Sequence, residues 1–285
     1  MSFQALLEQI KADGGRIPEG QTLVGLTARL LPLLGSPDAH LRDELALELL
    51  WGWILSGMYS AVELQQIARQ LRSNLREGVG QDGDDSVYLR SFSVLLLSVI
   101  VRADNKENVL PADEVKQTLQ AVLDYFGAEL DWRGREPECG WIHAVAHAAD
   151  CFLALAGSRH LQAEDLLQML QVMQARLLRP SSYVLLAEED ERLARAVRGI
   201  VARGLLSQQN LSDWLAGFLQ PAPSVTWKKR FLSGDEGARA YQNCKQLLRS
   251  LYWQSRSWIS PMAEETATLA AETLREMQLY NYEIR

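Results

Sequence analysis

SPDAHLRDELALELLWGWILSGMYSAVELQQIARQLRSNLREG, residues 36–78, decides how the rest of the chain is read. Ser36 stands as a helix cap with Pro37 in the first turn. Leu41, Leu45, Leu49 and Trp53 recur at helical spacing along one face, and Gly57 closes the segment. Three residues later Ser60 and Glu63 have the S-x-x-E spacing of a capping box, in which each side chain satisfies the other's exposed backbone N–H. Two helices joined by so short a turn must run antiparallel.

The same unit recurs on both sides. Before it, Phe3, Leu6, Leu7 and Ile10 form an apolar stripe that ends at Gly14 and Gly15, and a second helix over 22–34 is distorted at Pro32. After it come 85–103 with 111–130, 140–156 with 162–178, 188–203 with 207–219, and 235–258 with 261–279. First helices begin near 37, 85, 140, 188 and 235, intervals of roughly 47 to 55 residues, at or just above the period of HEAT and armadillo arrays. The expected fold is all-α: a right-handed α-solenoid of about six HEAT-like antiparallel helix pairs in one domain over 1–285, with 34–219 as core and 235–279 as the C-terminal pair. An α/α toroid is the alternative. Two connections are longer than the rest, DWRGREPEC at 131–139 and the segment 221–234.

Composition narrows the function classes. With 285 residues, 47% hydrophobic and 23% charged, the chain can bury a large core. A net charge of -7 argues against a nucleic-acid partner, and the basic run Lys228, Lys229, Arg230 reads as a solvated helix face. Three cysteines without a CxxC fit a reducing interior. The N-terminus lacks the basic flank and long apolar stretch of a signal peptide, and the apolar run 94–101 is too short to span a bilayer. A cytoplasmic protein without a membrane partner is expected. No GxSxG, GxxxxGK[ST] or GxGxxG pattern is present, and no cofactor is called for.

Arg42, Arg90 and Arg192 fall at matching places near the starts of first helices, with His143 where the intervening unit would carry its arginine. A cation in the first turn opposes the helix dipole and needs an acidic partner or a ligand. Asp38 with Arg42 and Glu188 with Arg192 have the i, i+4 spacing for ion pairs; an anion- or partner-binding stripe is the other reading. The acidic run 188–191 reads as helix capping. In GWIHAVAHAAD, 140–150, the residues His143, His147 and Asp150 stand at i, i+4 and i+7, with Cys139 one step back. That spacing suits a metal, a polar or phosphate-binding pocket, or imidazoles hydrogen-bonded to Asp131, Asp150 or backbone carbonyls. The last is preferred, with no metal bound. Trp141, at a helix start, is expected to be buried.

Four segments, 34–46, 84–97, 131–150 and 188–197, resemble a bacterial family known only as domain of unknown function 2785. The resemblance implies a helical-repeat fold and supplies no activity. Its motif positions fall here on Arg42, Asp43, Asp85, Arg90, Asp131, Arg133, Trp141, His143, His147, Asp150, Glu189 and Arg192, while Cys139 departs from the pattern, where a basic residue is usual. The favoured function is a binding or scaffold module whose Arg/His/Asp positions meet an acidic protein partner or a small anionic ligand. The alternative is a metal-dependent hydrolase using His143, His147 and Asp150, with Asp131 or Glu189 as base and Arg90 or Arg192 as anion clamp.

Overall fold

A computed structural model describes residues 2–280, which are predominantly helical. The chain divides into two compact units, Met1–His160 and Leu161–Arg285.

In the first unit, α1 (Phe3–Ala12) is capped by Ser2, and α2 (Leu23–Leu30) by Thr22. At Pro32 the chain tightens into a 3-10 turn, Leu31–Gly35. The next helix departs from the regular helix that its apolar spacing had suggested. It opens as a widened π turn, His40–Leu47, and continues as α3 (Glu48–Leu55). Its cap is Asp38 and not Ser36: one Asp38 carboxylate oxygen accepts from the amides of His40 and Leu41. The widened turn brings Arg42, Leu45 and Ala46 to the buried side, followed by Leu49, Leu50 and Trp53, while Leu41 is only partly covered. α4 (Ala61–Asn74) begins with the reciprocal Ser60 and Glu63 bonds expected of it.

The unit is organised on α5 (Ser86–Glu107), which is buried on nearly every side. It is long and apolar enough to cross a membrane, yet 83% of its most apolar stretch is covered by the protein itself. α5 packs against α3, α4, α6 (Ala112–Ala128) and α7 (Ala144–Ala156), and α4 meets α6 behind it. Between α6 and α7, where a helix had been expected to start at residue 140, the chain makes a small antiparallel hairpin instead. β1 (Arg135–Glu136) pairs with β2 (Gly140–Trp141), Arg135 opposite Trp141 and Glu136 opposite Gly140. Gly140 has φ +77°, and a Cβ there would lie 3.1 Å from that of Ala39, so the hairpin can press onto the π turn.

In the second unit, Asp165 accepts from the Gln162 amide at the start of α8 (Ala163–Leu177). α9 (Glu189–Ala202) follows, and a Ser207/Asn210 box opens α10 (Gln208–Ala216). The connection 221–234 contains a short helix the spacing did not predict, α11 (Trp227–Leu232), capped by Thr226 and anchored by the Trp227 indole, which donates to the Phe218 carbonyl at 2.6 Å. α12 (Asp235–Arg256) packs on α9, α11 and α13 (Ala263–Glu276).

At Gly237 the backbones of α11 and α12 nearly touch: a Cβ would sit 2.1 Å from the Arg230 carbonyl oxygen. Helix propensity alone predicts that Gly237→Ala stabilises by about 1 kcal/mol. The contact predicts the opposite sign, a loss of about 1 to 3 kcal/mol in chemical denaturation. A gain in stability would contradict the close approach.

Candidate functional site

Arg42 has no solvent exposure and meets acceptors on three sides. Its Nε donates to Asp43 at 2.8 Å and one terminal nitrogen to the other Asp43 oxygen at 3.3 Å. The remaining donors reach the carbonyls of Ser36 (2.8 Å) and Pro37 (3.3 Å), and then, across almost a hundred residues, those of Cys139 (2.8 Å) and Trp141 (3.2 Å). Its plane lies 4.4 Å from the Tyr88 ring centroid and 4.6 Å from that of Phe92. The carboxylate expected to pair with it, Asp38, is spent on the helix cap. Burial pushes the Asp43 carboxyl above its ordinary range and the Arg42 charge draws it back.

Arg90 is equally buried. It makes a two-point contact with Glu129 (2.7 and 3.2 Å) and donates to the Glu77 carbonyl (2.8 Å) and the Ser86 hydroxyl (2.6 Å). Arg133 grips Asp131 through Nε (2.9 Å) and a terminal nitrogen (2.6 Å), pairs with Glu136, and donates to the Asp84 carbonyl at 3.0 Å. Asp131, which also accepts from the Gly83 amide (3.1 Å), thus ties the loop before α5 to the hairpin; this bond to Asp131 is the strongest of the influences that raise the Arg133 pKa. Asp85 is exposed at the N-cap of α5 and makes no side-chain capping bond; Asp84 accepts from the Ser86 amide and hydroxyl instead, bonds that hold its carboxyl below the usual range. In this unit the guanidinium groups of Arg42 and Arg90 therefore face internal acceptors, and neither is open to a partner. In the second unit, burial pushes the Glu189 carboxyl up while it accepts from the Ala187 amide at 2.7 Å, a capping role; the Arg192 amide donates to the Glu188 carbonyl.

What reaches the surface is Trp141. Expected to be buried, it is 44% exposed, because it lies on the hairpin and not in the first turn of a helix. Its indole stacks on His143 with ring centroids 4.3 Å apart and planes 25° from parallel. His143 meets His147 edge to face at 5.6 Å, and His147 meets Phe92 edge to face at 5.0 Å, so a column of rings runs from the exposed indole down to the guanidinium of Arg42. At the outer end, the Arg135 guanidinium lies 5.6 Å from the Trp141 ring.

His143 is the N-cap of α7 in a left-handed conformation, φ 51° and ψ 32°, so it precedes the helix that carries His147 and Asp150 and the three do not occupy one helical face. Among the described residues no group of three or more His, Cys, Asp or Glu side chains is placed to hold a metal ion. His147 Nδ1 lies 2.8 Å from the Ser91 hydroxyl, and that hydroxyl also contacts the Ile142 carbonyl. A carbonyl only accepts, so the single Ser91 proton goes to Ile142 and the His147 Nδ1 must donate. Ser91 thereby favours a proton on Nδ1 of His147. Tyr88, donating to Glu136 at 3.3 Å and beside Cys139, has its hydroxyl pKa pushed up by burial.

Ser91, Tyr88 and Glu129 escaped the sequence reading. The available signal was a hydroxyl repeated inside an apolar helix: Ser91, Ser93 and Ser98 are all buried in α5, where a polar atom requires a partner.

Residues 75–253, well over half of the chain, match the profile of the family described as protein of unknown function (DUF2785). That interval takes in Arg90 and the whole hairpin, and begins after Arg42 and Asp43. Comparison with curated proteins and with solved structures returned no match.

Ser91→Ala removes the one hydroxyl joining Ile142 to His147 and should destabilise by about 1 to 3 kcal/mol. Nitrogen chemical shifts of the His147 ring at neutral pH should report the Nδ1–H form in the parent and lose that preference in the variant. An unchanged tautomer would show that something other than Ser91 sets it.

Proposed function

Since the chain belongs to the DUF2785 family, whose description names no activity, we propose from its geometry that it is a binding or scaffold module, built of HEAT-like helix pairs, that presents the Trp141 face to an acidic partner. The observation that carries this is the half-exposed indole at the end of a ring column anchored on a buried guanidinium. A large aromatic held rigid before binding loses little freedom on contact, and such residues supply much of the energy of small interfaces. Arg135, exposed beside the ring, places a guanidinium where an acidic partner could meet it. The local packing agrees with HEAT-like pairs: in the first unit α3, α5 and α7 are neighbours, with α4 and α6 behind. The three free cysteines suit the reducing, cytoplasmic setting that belongs to the same proposal.

The hydrolase reading draws less support, because groups it needs are committed elsewhere: Asp131 to Arg133, Arg90 to Glu129, and Glu189 to the start of α9.

A glutamate-rich peptide, with its glutamine counterpart as control, titrated against the full chain should perturb the Trp141 indole resonance. Trp141→Ala and Arg135→Ala should each weaken that binding by about tenfold; Arg135→Ala should leave the melting temperature unchanged, and Trp141→Ala should lower it by only a few degrees. Equal binding of the two peptides, or binding that survives Trp141→Ala, would remove this face as the site.

A further inference from the structure

Away from the hairpin, a cavity of about 470 Å³ opens between α2, the 3-10 turn and α4, within the size range of small-molecule sites. Val24, Leu31, Ile67 and Leu89 give it an apolar wall. Its polar lining comes from Thr27, Tyr59, Glu63, Gln66, Gln70 and Asn74, of which the Gln70 amide donates to Asn74 and the Asn74 amide to Ser93. Thr27 donates its single hydroxyl proton to the Leu23 carbonyl at 2.8 Å, so in its 2.7 Å contact with Tyr59 the tyrosine must be the donor. The Tyr59 oxygen then has only acceptor capacity left. Its hydroxyl stays neutral, its pKa pushed up to about 12 by burial, with the nearby Glu63 charge acting in the same direction.

Glu63 is the only charged residue among the described residues lining the cavity. It is held in place by its capping role: the amide and hydroxyl of Ser60 both donate to Oε2, each at 2.7 Å, and these bonds keep the carboxyl below its usual range and so ionised at neutral pH. An acceptor oxygen and a fixed carboxylate at the edge of an apolar wall complement a ligand that is apolar along its length and cationic, with N–H donors, at one end. A carboxylate or phosphate would meet repulsion from Glu63, and no cationic side chain lines the cavity among the described residues.

We propose that this cavity binds a small organic cation, a protonated primary amine on an apolar body, with the ammonium toward Glu63 and the Tyr59 oxygen and the body against Val24, Leu31, Ile67 and Leu89. The site is separate from the Trp141 face and does not depend on the reading given to that face.

The test uses the full chain with hexylammonium, and with hexanol and hexanoate as neutral and anionic counterparts, followed by methyl resonances. Hexylammonium should shift the methyls of Val24, Leu31, Ile67 and Leu89 saturably, and bind about tenfold tighter than hexanol, while hexanoate leaves them unmoved. Glu63→Gln keeps the start of α4, since glutamine also completes a capping box, and should reduce the preference for amine over alcohol to about twofold or less. Hexanoate binding as well as the amine, a preference that survives Glu63→Gln, shifts scattered over surface carboxylates, or a cavity filled only by a lysine-bearing peptide would each overturn the proposal.

Discussion

A guanidinium shut away from water must find an acceptor for each of its five N–H groups, because an unpaired buried charge costs several kcal/mol. Arg42 meets that requirement with groups from three parts of the chain: the carboxylate of Asp43, the carbonyls of Ser36 and Pro37, and the carbonyls of Cys139 and Trp141. The last two matter most. They clamp the hairpin against the π turn. Arg90 does the same one layer along, joining the start of α5 to Glu129 at the end of α6.

The clamp explains why a strained residue persists beside it. A left-handed non-glycine backbone costs of order 1 to 2 kcal/mol, and His143 adopts it where the hairpin turns into α7. The amides of Ile142 and His143 both donate to the Gly134 carbonyl, and the His143 ring lies between Trp141 and His147. With the hairpin fixed from below, these contacts hold the imidazole under the indole. The buried charges of Arg42 and Arg90 are thus spent on position, while the hairpin presents the Trp141 ring and Arg135 to solvent.

Helix existence and most helix ends were legible because they depend on neighbours in sequence. The Ser60/Glu63 box, the stop at Gly14 and Gly15, and the break at Pro32 all use residues within one turn. Arg42 was legible as a cation in need of a partner, but the partner was not, since the π turn rotates the face and two acceptors lie nearly a hundred residues away. The hairpin was hidden because two-residue strands carry no alternation; Gly134, Pro137 and Gly140 were the only local marks of a turn. Trp141 was misplaced for that reason alone, and the left-handed His143 left no compositional trace, unlike a glycine at such a position.

The central claim, that the buried Arg42 holds the hairpin in place, is tested most directly by amide hydrogen exchange in the parent and in Arg42→Met, comparing Ile142 and His143 with amides in the middle of α5. Exchange at Ile142 and His143 should rise by at least about tenfold in the variant while the α5 amides keep most of their protection. Unchanged protection at both hairpin amides would contradict the account and assign the hairpin's position to the ring column alone.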